Sequence, residues 1–139
     1  MKRRTKRILV GLALALSVVF STCLIFAYES VQNVTIDDVT IRFKNYISSD
    51  MTSSYAETHG STPAPQTYVN ATFYYFDEET EAFGTIYLYQ GVDGASKVQV
   101  NQNSIEPTHT KVYYKVVSNH IASYHGVTSN YPNMTTNAP

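Results

Sequence analysis

Asp77, Glu78, Glu79 and Glu81 set four carboxylates within five positions, the densest group of potential acid–base or cation-binding side chains in the chain. A calcium loop needs alternating oxygen ligands and a glycine at its sharp turn, and that pattern is missing. Glycosidase carboxylates flank a cleft from separate elements, whereas these four share one short segment. They read as a solvated hairpin loop. The histidines, His59, His109, His120 and His125, are the candidate zinc ligands. His120 and His125 are five apart, which puts them on opposite faces of a strand and makes them a poor chelating pair. Surface or loop positions are expected for all four, and no metal is assigned. Serine is plentiful, but no G-x-S-x-G elbow or S-x-x-K pattern marks one as activated. Glycine motifs that cradle phosphate are also missing. No catalytic residue and no cofactor is assigned.

The remaining chemistry is aromatic. The chain has 12 tyrosines and no tryptophan, and every tyrosine lies beyond residue 27. Tyrosine offers large contact area at low entropic cost, with a hydroxyl to orient a partner. Tyr74, Tyr87, Tyr89 and Tyr113 are the expected binding residues. Tyr87 and Tyr89 share a strand face, which places them beside Tyr74 or Tyr68 if the two strands pair. The competing account is cross-strand packing that only stabilises a sheet, at about 0.2–1 kcal/mol per pair. Asn33, Asn70 and Asn133 head N-glycosylation sequons. In a chain rich in Asn and Thr these are read as chance.

The element that must position these tyrosines is residues 67–90, TYVNATFYYFDEETEAFGTIYLYQ. Two runs of alternating β-branched and aromatic residues flank the acidic loop, as in a half-buried antiparallel hairpin. Val69, Ala71, Phe73 and Tyr75 share one face; Ile86 and Leu88 oppose Thr85, Tyr87 and Tyr89. Upstream, Val34 and Ile36 fall on even positions while Val39, Ile41 and Phe43 fall on odd ones. A change of inward parity across Asp37-Asp38 predicts a bulge or tight corner. Residues 48–66, rich in Ser and Thr, read as an irregular loop, with Ser54-Tyr55-Ala56-Glu57 spaced for a capping box and one helical turn. Gly91-Val92-Asp93-Gly94 signals a turn.

Val98 and Val100 mark a further strand. Thr110 to Val117 reads as the last strong strand, with Val112, Tyr114 and Val116 opposite Lys111, Tyr113 and Lys115. Ser118-Asn119 opens either a short helix ending at Gly126 or an edge strand. Residues 129–139 lack apolar periodicity and are expected to form a flexible tail. Short strands joined by turn residues give an all-β fold, a small antiparallel β-sandwich over residues 28–128, with an immunoglobulin-like order as the candidate topology. The immunoglobulin cysteine pair and core tryptophan are missing.

The head, MKRRTKR followed by an uncharged run over residues 8–27, has the form of a secretory signal peptide, with Ile25 and Ala27 at −3 and −1 of a cleavage site. An uncleaved anchor over residues 8–27 is the alternative, and acylation of Cys23, the only cysteine, a third. Each exports the rest of the chain. Beyond residue 27 eleven acidic residues face five basic ones, a net charge of −6. Such a domain is repelled by nucleic acid and anionic lipid. The expectation is therefore a secreted or cell-surface, non-enzymatic module that binds an extracellular protein or glycan. A bacteriocin-like secreted antagonist and a small secreted hydrolase are the alternatives.

Overall fold

A computed structural model describes residues 27–64, 66–103 and 110–139. The expected signal or anchor, with Cys23, lies outside the described residues apart from its last position, as does His109. Among the described residues eight strands follow one another: β1 (Tyr28–Ile36), β2 (Val39–Ile47), β3 (Ser53–Ala64), β4 (Gln66–Asp77), β5 (Ala82–Val92), β6 (Ala95–Asn103), β7 (Lys111–Tyr124) and β8 (Val127–Asn137). They form two antiparallel sheets, ordered β1-β2-β3-β6 and β5-β4-β7-β8, which pack face to face as a sandwich. The immunoglobulin expectation is corrected here. In that fold the first, second, fifth and fourth strands share a sheet, whereas β1, β2 and β3 are consecutive neighbours.

The central hairpin forms as its alternation requires, with eleven consecutive pairs from Thr67↔Val92 to Asp77↔Ala82. Its acidic loop is exposed, and Asp77 accepts the Glu79 amide at 3.0 Å to hold the turn. The parity change at Asp37-Asp38 is a two-residue hairpin between Ile36 and Val39, with Asp37 at φ 52°. Gly84 explains a small residue inside a strand. The Tyr75 ring lies across it, and an added Cβ would sit 2.5 Å from ring atoms.

Two segments depart from their sequence reading, and the one from Ser118 is decided between its alternatives in favour of strand. The capping-box segment is strand, because Ser54, Ala56 and Thr58 alternate inward and are small enough to sit beneath the second sheet. The stretch from Ser118 continues β7 and turns at His125-Gly126, with no helix. The segment expected to be a flexible tail is β8, whose Met134 and Thr136 are buried against the core. Its periodicity is hidden by a register irregularity near Pro132-Asn133, where Asn133 adopts φ 57°.

Two apolar clusters make the core. One gathers Ile47, Val69, Phe73, Val98, Tyr113 and Val116, and the other Val39, Ile41, Phe43, Ala122 and Met134. Burying each large side chain contributes about 1.5–3 kcal/mol. Along β2 and β7 the positions between the two clusters are polar: Asn45 on one strand, Ser118 and His120 on the other. The core is thus divided by a hydrogen-bonded layer.

Candidate functional site

The outer face of the β5-β4-β7 sheet carries an aromatic strip made of two contacting groups. Phe76 and Phe83 pack with ring centroids 5.1 Å apart, Phe83 meets Tyr114 at 5.9 Å, and Tyr114 meets Tyr74 at 6.4 Å. Further along, Tyr68 and Tyr89 lie 5.6 Å apart. Tyr87 stands between these groups, on the same face of β5 as Phe83 and Tyr89. Alternation puts these side chains on one side, and the unbroken β4–β5 register aligns the rings across strands. Phe83, Tyr87 and Tyr89 are 75%, 61% and 65% exposed, so the strip is open to solvent. Desolvation, and then the neighbouring phenols of Tyr68 and Tyr89, push the Tyr87 hydroxyl above its ordinary value.

Polar side chains rigidify the strip from beside it. Asn119 donates to Asn70 at 2.9 Å, Asn70 donates to the Tyr68 hydroxyl at 3.2 Å, and Asn119 accepts the backbone amide of Asn133 at 2.8 Å. The Asn70 side chain is thereby committed within the sheet. Lys115 lies 4.9 Å over the Tyr74 ring, a cation–π contact that fixes its tilt. At one end the strip opens into a cleft of about 210 Å³, walled by Tyr68, Ile121 and Gly91 and edged by Gln66 and Asp93. A Cβ on Gly91 would press on the Tyr68 ring at 3.1 Å, so glycine keeps that wall thin.

Of the four expected binding residues, Tyr74, Tyr87 and Tyr89 are brought together on this face. Tyr113 is not. It is 1% exposed, on the inner face, with its hydroxyl toward Gln102 at 3.5 Å. Burial and then Tyr75 raise its pKa. The cause is a bulge: Tyr74 pairs Lys115 while Tyr75 pairs Tyr113, so Tyr114 is extra and inward parity flips across it. Tyr114 takes the place on the strip that Tyr113 was expected to hold. Tyr68, Phe76 and Phe83 belong to the strip as well, and the even-position alternation of β4 was the signal for two of them.

The opposite outer face is charged. Glu57 is nearly buried there between Arg42 at 2.9 Å and Lys97 at 2.8 Å. Desolvation pushes its carboxyl up, but hydrogen bonds from Lys97 and Arg42 outweigh that and hold it below the usual carboxylate range. Arg42 and His59 also line a shallow groove with Thr40 and Ser61.

The histidines are scattered. His59 lies on this charged face, and His125 sits at the β7–β8 turn, 3.1 Å from Asp37. Among the described residues no three of His, Cys, Asp and Glu converge as a metal cluster.

His120 corrects the surface expectation, because it is fully buried within the polar layer. Its Nε2 lies 2.7 Å from Ser118 Oγ, and its Nδ1 lies 2.9 Å from Thr58 Oγ1. The donor directions follow from Asn45. Its Nδ2 donates to the Met134 carbonyl at 2.8 Å, so Oδ1 must accept the Ser118 hydroxyl at 2.6 Å. Ser118 then accepts from Nε2–H, and the single Thr58 hydroxyl proton is shared between Nδ1 and the Tyr68 carbonyl at 3.2 Å. This orientation is wrong for a serine nucleophile, since Nε2 carries the proton it would have to take. With Ser118 1% exposed as well, the pair joins the two sheets instead of meeting a substrate. Desolvation lowers the His120 pKa from 6.5 to about 4, keeping the imidazole neutral.

Compared with known proteins, the chain matches no family model, no curated protein and no solved structure.

Proposed function

We propose that the chain is an exported, non-enzymatic β-sandwich module, and that the aromatic outer face of β5-β4-β7 binds a protein or glycan outside the cell. Export rests on the basic and apolar head, read as a signal peptide or, if uncleaved, a membrane anchor. One observation carries the binding role: Phe83, Tyr87 and Tyr89 stand well exposed in a single file on a rigid, cross-braced sheet. Exposed aromatic surface costs solubility, and a contiguous patch of it is a mark of an interaction site. Flat rings, amide and hydroxyl groups and an adjoining cleft suit the apolar faces and hydroxyls of sugars, and tyrosine serves equally at protein contacts.

The test is retention of labelled protein on cell-surface material from candidate host or neighbouring cells. Tyr87→Ala with Tyr89→Ala should lower retention at least tenfold while the thermal midpoint changes little. Protease treatment of the surface material should remove binding if the partner is protein, and periodate oxidation should do so if it is glycan. Undiminished retention by the double variant would reject this face.

A further inference from the structure

Strand β5 is an edge of its sheet, as are β1, β6 and β8 of theirs. An open edge is a template for another strand, and proteins that must stay apart interrupt it with charge, proline or irregular backbone. Three of the edges carry such interruptions. Glu29 stands on β1, bonded to Lys44, and Lys97 stands on β6, bonded to Glu57. Pro132 and the left-handed Asn133 break β8. By contrast β5, AFGTIYLYQGV, has no charge and no proline over eleven residues, and its pairing with β4 has no irregularity. Its inward Ile86 and Leu88 remain only half-buried, and its outward Phe83, Tyr87 and Tyr89 overhang solvent. A neighbouring strand would flank both rows at the sheet edge and leave the outer face open.

We infer that β5 pairs antiparallel with β5 of a second copy, about a twofold axis at Ile86, joining the two four-stranded sheets into one of eight strands. In this register Phe83 meets Tyr89 of the other copy and Thr85 meets its Tyr87 on the outer face, while Gly84 meets Leu88 and Ile86 meets itself on the inner face. Inward residues face inward ones, as the two-residue period demands. The lack of charge on β5 bears on the occupant. The domain is strongly acidic, so copies repel along most approaches, yet within the paired strands no charged residue stands opposite another. Glu81 falls opposite Gly91, and Asp93 falls opposite Glu79 only beyond the ends of β5. The outer row selects the register, because centring one residue later would leave Phe83 opposite Gly91 and lose the aromatic pair with Tyr89. The dimer also joins two aromatic strips into one face, which raises avidity for a repeating ligand without a new contact to it.

Disulfide trapping in the full chain, in a Cys23→Ser background under mild oxidation, tests the arrangement. Phe83→Cys with Tyr89→Cys in one chain should give covalent dimer. Each single variant should not, because position 83 or 89 lies about 20 Å from its own counterpart at roughly 3.3 Å per residue. The same spacing prevents a bond within one chain. Both positions are exposed, so the fold tolerates the changes. Adding Ala82→Glu and Gln90→Glu, which face each other across the axis, should lower the trapped fraction about tenfold while every remaining aromatic on the face stays in place. No trapped dimer from the double variant, or equal trapping from the single variants, would overturn the pairing.

Discussion

Acidification between pH 6.5 and 4.5 should weaken this sandwich through one side chain, His120. In the folded protein its pKa is about 4, lowered by desolvation, against 6.5 when the chain unfolds. The unfolded chain therefore binds the proton more readily across that window, so stability is complete above pH 6.5 and declines as pH falls toward 4. That gap corresponds to roughly 3 kcal/mol, most of which is lost by pH 4.5. Against a typical total of 5–15 kcal/mol for a small domain, the loss is readily measured.

The structure supplies the reason that the proton is refused. Thr58, Ser118 and the Phe43 ring surround the imidazole, and no carboxylate is among its contacts. Glu57, next to Thr58 on β3, points to the other side of its sheet, toward Arg42 and Lys97. Its own loss of stability has the same sign but belongs to lower pH, because its folded pKa lies below 4.5. Urea unfolding at pH 7, 6, 5 and 4.5 measures the slope. The His120→Gln variant, whose amide can still accept from Thr58 and donate to Ser118, should lose about 1–3 kcal/mol at pH 7 and show a nearly flat profile down to pH 4.5. A slope that survives this substitution would refute the assignment to His120.

Gly84→Ala should cost about 1–2 kcal/mol, because the new methyl must displace the Tyr75 ring from its place beside Tyr113 and Lys111; thermal melting of the variant measures this. Truncation after Thr128 should abolish cooperative unfolding, since it removes Met134 and Thr136 from the core and leaves Asn45 without its carbonyl partner; a sharp melt of the shortened chain would count against a structural β8. The Tyr87→Ala and Tyr89→Ala pair should shift stability by no more than about 1 kcal/mol, because both rings are largely exposed, so that lost binding reports on the face.

The period-two pattern by itself determined the central hairpin, its acidic loop, the inward rows of β2 and β6 and the outward row of β5. In each of these, apolar residues mark the buried face and a turn of defined length sets the register. Tyr74, Tyr87 and Tyr89 were legible as one face for that reason.

Tertiary structure alone decided β3, β8, the fate of Tyr113 and the burial of His120. Thr58, Asn45, Ser118 and His120 are buried because they satisfy one another across the two sheets, and Ser54 because it donates to the Tyr46 carbonyl on β2; a polar residue whose partner comes only with the fold leaves no apolar mark in the chain. The bulge at Tyr114 and the break at Asn133 each add a residue that reverses inward parity. Alternation read along one strand cannot show where that reversal falls, because the paired strand sets it.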